Sequence, residues 1–146
     1  MSLKKCFVYI ASPYTKGDNF VNVQRQIEFG NDLIDKGYVP VSPLLNAVHY
    51  HAQKEREYDT WLEIDYNWIL KCDALFRLEG ESKGADLEVA YAKKNNIPVF
   101  TDMECLSMWY LEEFAVNNLP VIEATESDVR AVESALPENH SEQEKV

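Results

Sequence analysis

Short apolar runs alternate along this chain with longer segments whose apolar residues return every three or four positions. Phe7 to Ala11 is almost continuously apolar and is closed by Ser12-Pro13, the pattern of a buried strand followed by a turn. Phe20, Val23, Ile27, Gly30, Leu33 and Ile34 then recur at helical spacing, with Asp18 or Asn19 as N-cap and Gly37 as the stop. Tyr38 to Val41 predicts a brief second strand. Pro43 to Tyr58 is less regular and reads as a loop with a helical piece around Leu44 to His51. A helix capped by Asp59 or Thr60 runs to about Cys72, and Ala74 to Leu78 is a third strand closed by Glu79-Gly80. Residues 85–96 form a helix, 97–101 a fourth strand, 104–118 another helix and 119–123 a fifth strand.

Continuous apolar strands alternating with amphipathic helices predict an α/β sandwich: about five parallel strands in one Rossmann- or flavodoxin-like domain, helices on both faces. Ligands of such sheets bind at the carboxyl ends of the strands, where strand order reverses. That directs the search to Ser12–Gly17, to the residues around Leu78–Gly84, and to whatever faces them. The domain is expected over residues 1–122. Residues 123–146 carry seven acidic and two basic side chains and read as an acidic tail, helical over 126–135 and disordered over 137–146.

Composition narrows the function. With 146 residues the chain holds one sizeable core, and its charge of -11 makes duplex nucleic acid a poor partner. A phosphorylated small molecule stays possible, because local geometry can overcome a global field. Cys6, Cys72 and Cys105 are odd in number and unclustered, which argues against a disulfide framework or a zinc site and for a reducing cytoplasm. The apolar stretch ending at Pro13 is too short for export or for a membrane span.

Three places could carry chemistry. Glu81 to Glu88 follows a strand and opens a helix, whose unpaired N–H groups favour anions. Ser82 and Gly84 could cradle a phosphate or a sugar hydroxyl, and Glu88, near the helix start, is expected to be ionised. Equally, Ser82 could be a plain cap, with Asp86 and Glu88 complementing the dipole. The segment has neither a Walker loop nor a GxGxxG turn. Asp65 stands in a stripe with Trp61, Trp68 and Cys72 on one helix face, where a carboxylate needs a partner or a task. Either it faces a ligand pocket or it bonds a loop backbone. His49 and His51 form an HxH pair without a third ligand, so no metal is expected and the pair is assigned to the surface or a pocket rim. Arg77, within an apolar strand, either pairs with an anion or lies on an edge strand with its charge in water.

These residues resemble a known family. Tyr9-Ile10-Ala11-Ser12-Pro13-Tyr14 looks like the first-strand signature of the nucleoside 2-deoxyribosyltransferase superfamily. Val41-Ser42-Pro43 is similar to the end of its second strand, Asp65 to its helix aspartate, and Ser82 to Ala92 to its catalytic-glutamate segment. The resemblance covers about residues 6–101 and implies cleavage of an N-glycosidic bond with retention. In it Glu88 is the nucleophile toward C1′ of a 2-deoxyribosyl group, Asp65 protonates or orients the leaving base, and Tyr9 lines the same pocket. Ser12, Pro13, Tyr14, Ser82, Lys83 and Gly84 are its substrate-binding candidates. The transferases usually place an aspartate six residues before the glutamate; here it is Ser82, as in the nucleotide-hydrolase branch. That favours a 2′-deoxynucleoside 5′-monophosphate and hydrolysis, with no cofactor, and the resemblance also implies a homodimer or larger homo-oligomer. The alternatives are base exchange on free deoxynucleosides and a non-catalytic nucleotide-binding or sensing module.

Overall fold

The computed structural model describes residues 2–118 and 120–137. In chain order the elements are β1 (Ser2–Leu3), β2 (Phe7–Ala11), α1 (Asn19–Asp35), β3 (Val39–Val41), α2 (Pro43–Gln53), α3 (Tyr58–Ile69) and β4 (Ala74–Arg77). There follow α4 (Lys83–Lys94), β5 (Val99–Phe100), α5 (Met103–Trp109), a π-helical stretch (Tyr110–Phe114), α6 (Ala115–Asn117), β6 (Pro120–Val121) and α7 (Glu126–Ala135). The main sheet is parallel, in the order β3-β2-β4-β5, with Tyr9 level with both Val41 and Leu75. The fold is thus the expected α/β class.

The sheet has four strands, not five. The segment expected as the fifth becomes β6, which pairs antiparallel with β1 in a separate two-stranded ribbon. Pro120 supplies no ladder N–H, so this stretch suits an isolated ribbon better than a sheet position. Pro40 is tolerated for the same reason, because β3 is an edge strand. β4 is an inner strand, which removes the edge-strand reading of Arg77. The helix expected over 104–118 is interrupted by the π-helical stretch, and the helical piece of the irregular segment extends to Pro43–Gln53. From residue 138 onward the expected disordered tail lies outside the described residues.

Alternation along β2 separates two cores. Val8 and Ile10 join Leu33, Phe76, Leu106 and Phe114 on one face. Tyr9 and Ala11 join Ile69, Leu75, Ala85 and Ala92 on the other, beneath α3 and α4. After β2 the chain crosses to β3 on one side and then returns to β4 on the other. The carboxyl ends of β2 and β4 therefore border the crevice where ligands of open sheets bind.

Helix α1 buries Gly30 and Leu33 of its predicted apolar face but turns Asn22 and Gln26 inward in place of Phe20. Its buried residues are Asn22, Gln26, Gly30 and Leu33, whereas Phe20 is 71% and Ile34 56% exposed. The two inward amides satisfy the loop that follows β2. Asn22 Nδ2 donates to the carbonyls of Tyr14 (3.0 Å) and Lys16 (2.7 Å). Gln26 Nε2 donates to Ile10 O (3.1 Å) and Ser12 Oγ (2.8 Å), and its Oε1 accepts from Leu44 N (3.1 Å). The inward amides hold the path of this loop by satisfying its carbonyls, at positions where apolar side chains could not.

Candidate active site

A cavity of about 470 Å³ opens at the carboxyl ends of β2 and β4. The loop after β2 contributes Ser12, Tyr14, Thr15 and Lys16, and α2 contributes Leu44, Ala47 and His51. Arg56, Tyr58, Trp61, Leu62 and Asp65 come from the start of α3 and the turn before it; Ser82, Lys83, Gly84, Ala85 and Glu88 come from the start of α4.

Asp65 and Glu88 meet at the base of this cavity, and Tyr9 lies behind them outside the lining, which corrects the expectation that it lines the pocket. β2 points Tyr9 toward the α3/α4 face, where it is fully buried. Tyr66 of α3 stacks on Tyr91 of α4 with ring centroids 4.0 Å apart and planes within 11°, which locks the two helices side by side. The lock holds Asp65 and Glu88 against each other. Burial, then the Asp65 charge, pushes the Glu88 carboxyl up to about 8. Burial pushes Asp65 up to about 6, opposed by its contacts with Glu88 and Tyr9. Two interacting carboxyls titrate as a unit, so near neutrality the pair holds one shared proton and one negative charge. Desolvation, then the Glu88 and Asp65 charges, holds the Tyr9 phenol well above its usual range, so it stays a neutral donor. Its hydroxyl is buried and makes no hydrogen bond of ordinary geometry within the protein, although both carboxylates act on it.

The expectation that Glu88 is ionised is therefore corrected for the free protein. α4 begins at Lys83, which puts Glu88 beyond the first turn, where the dipole has faded. Desolvation and the neighbouring Asp65 prevail.

The turn between β4 and α4 is braced from below. Arg77 bonds Asp86 Oδ1 at 2.9 Å, donates to Gly80 O at 2.8 Å and also donates to Leu78 O. Of the readings open for Arg77, pairing with a carboxylate is what the structure displays. Gly80 has φ +122°, and a Cβ there would come within 2.8 Å of Pro13. Pro13 is thus buried against that turn and absent from the cavity lining, unlike Ser12 and Tyr14. Ser82 caps α4: its Oγ accepts from Ala85 N at 3.1 Å, which leaves its hydroxyl proton available. A Cβ on Gly84 would lie 3.1 Å from Tyr58 Oη, so the start of α3 overhangs the start of α4.

The aromatic stripe of α3 divides. Trp61 and Asp65 line the cavity, Cys72 is buried beyond the helix end, and Trp68 lies on the outer surface beside Ile64 and Lys71. Trp61 carries His51, with centroids 4.1 Å apart, and the Arg56 guanidinium, 5.6 Å from its ring. His49 is exposed on α2 and does not line the cavity. Among the described residues no three His, Cys, Asp or Glu side chains gather as a metal site, and no helix is long and apolar enough to cross a membrane. Sequence reasoning missed Arg56, Tyr58, Leu44, Ala47 and Leu62. Leu62 adjoins the predicted face of α3, but the others lie in the irregular segment, where no periodicity marks them.

Residues 6–102 match the family model described as "Domain of unknown function (DUF7768)". No curated protein matches the chain. Among solved structures, the 2-deoxyribosyltransferase of the psychrotolerant bacterium Bacillus psychrosaccharolyticus is similar, with a TM-score of 0.50 and 16% identity. The match covers 80% of this chain and all of that one, and at such identity the likeness is one of fold.

Proposed function

The chain belongs to the DUF7768 family over residues 6–102, and from that premise we propose that it is a retaining N-glycosidase acting on 2′-deoxynucleoside 5′-monophosphates. The observation that carries this reading is the pairing of half-buried Asp65 with buried Glu88 at the base of a nucleotide-sized cavity, with Tyr9 behind it. Displacement at an anomeric carbon needs an ionised carboxylate on one face of the sugar and a proton for the leaving group. A pair holding one proton contains both. On substrate binding that proton sits on Asp65, and Glu88 is free to attack C1′. The C1′–N bond breaks through an oxocarbenium-like state, Asp65 passes its proton to the departing base, and a glycosyl ester forms on Glu88. Water then attacks C1′ and gives one proton to Asp65. The products are free base and 2-deoxyribose 5-phosphate, with the pair restored.

The preference for a monophosphate rests on the start of α4. An aspartate at position 82 would repel a phosphate, whereas Ser82 has a hydroxyl proton to donate, with Lys83 beside it and Lys16 in the same lining. A second reading, transfer of deoxyribose to another base, is supported by the fold shared with a protein described as a 2-deoxyribosyltransferase. The test is incubation with deoxynucleosides and their 5′-monophosphates, with and without a second base, followed by chromatography. Free base and sugar phosphate from monophosphates support hydrolysis. A new nucleoside formed only with the second base supports transfer. Saturable binding with no base released from any member would leave a binding module.

A further inference from the structure

The cavity rim holds a cation for which the mechanism above has no use. Arg56 lies in the short connection between α2 and α3, lines the cavity, and rests over the Trp61 ring. Glu55 and Glu57 flank it, and the chain has 25 acidic residues against 14 basic, yet no carboxylate pairs with Arg56 among the described residues. Its one hydrogen bond is from Nη1 to Lys54 O, at 3.4 Å. The other lysine and arginine side chains of the lining differ from it: Lys16 is tied to Glu81 at 3.3 Å, and Lys83 rests on no aromatic ring among the described residues. A guanidinium held on an indole face keeps its planar donors ordered, so little entropy is lost when they bind.

The position of Arg56 limits what it can meet. Tyr58, two residues later, overhangs Gly84 at the start of α4. Arg56 therefore lines the same cavity as Ser82 and Lys83 at the start of α4. A free nucleoside offers this rim no negative charge, whereas a phosphate offers paired oxygens matching the guanidinium fork. We propose that Arg56, presented by Trp61, is the specificity-determining residue that recognises the substrate's 5′-phosphate. This rests on the nucleotide reading of the site and adds to it a residue outside both the β2 loop and the catalytic cluster. It assigns discrimination between nucleotide and nucleoside to the α2–α3 connection.

The test is calorimetric affinity for a deoxynucleoside 5′-monophosphate, the matching nucleoside and inorganic phosphate, alongside base release. The proteins are the wild type, Arg56→Ala, Arg56→Lys and, as a control, Arg130→Ala on α7. Arg56→Ala is expected to weaken monophosphate binding about ten- to a hundredfold, through KM rather than kcat, with nucleoside affinity unchanged. Arg56→Lys recovers part of the loss and Arg130→Ala has no effect. Equal loss for nucleoside and monophosphate, or no loss for either, overturns the assignment, as does a wild type that binds no phosphate-bearing probe. If the affinity pattern appears without base release, the assignment stands and the glycosidase reading falls. If base is released without the pattern, the reverse holds.

Discussion

The floor and the rim of the cavity are built by opposite means. Tyr9, Asp65 and Glu88 stand on a strand and two helices, Tyr9 and Glu88 buried and Asp65 half-buried, with the helices locked by the Tyr66–Tyr91 stack. Lys16, Arg56, Tyr58 and Lys83 come from loops and first turns, and all four are exposed. Burial raises both floor carboxyls and, in the function proposed above, lets them share the proton that the reaction uses. Exposure lets the rim cations reach an incoming anion and also weakens each of them. Under the proposed function the two regions have separate jobs: the floor would break the bond, and the rim would select the molecule that presents it.

Changes at the floor should therefore alter rate, and changes at the rim affinity. Glu88→Ala is expected to have the largest effect, lowering turnover by about a thousandfold or more while ligand affinity persists. Parallel loss of affinity would mean that Glu88 holds the site together instead of reacting. Next is the pH profile of kcat/KM. The working form has one proton on the pair, so activity should fall below about pH 6, where both carboxyls are protonated, and above about pH 8, where both are ionised. Asp65→Asn removes the charge that helps raise Glu88, so residual activity should be about a hundredfold lower and should lose its alkaline limb. An unchanged limb would place that proton elsewhere.

The smallest effect concerns stability. Glu88 has a folded-state pKa above its unfolded value, so the native protein binds more protons and loses stability as pH rises from about 4.5 toward 8. Glu88→Gln abolishes that loss. Its thermal midpoint should exceed the wild type's by about 10 °C at alkaline pH and by little near pH 5. A pH-independent difference would show that burial of this carboxyl is not strained.

What the sequence disclosed follows the same division. The four strands of the main sheet were legible because buried parallel strands read as continuous apolar runs. Asp65 stood out because a carboxylate on an apolar helix face needs a partner or a task, whereas the spacing of Glu88 suits a dipole complement equally well and the family resemblance singled it out. On α1, Gly30 and Leu33 were legible as inward positions, but Asn22 and Gln26 were not, because they serve carbonyls of a loop whose path only the folded chain defines. The protonation of Glu88 was misjudged from local helix position, because the opposing terms, burial and Asp65, come from another helix. Arg56 and Tyr58 lie in a segment without periodicity, and their relation to α4 exists only in three dimensions.

The central claim is that the Glu88 carboxylate bonds to the anomeric carbon. Acid-quenched protein, taken during turnover of a deoxynucleoside 5′-monophosphate, should show by intact mass and peptide mapping one added 2-deoxyribosyl 5-phosphate group on Glu88. The adduct should be absent from Glu88→Ala. Base release with no adduct at any quench time, or an adduct that persists in Glu88→Ala, would contradict the account.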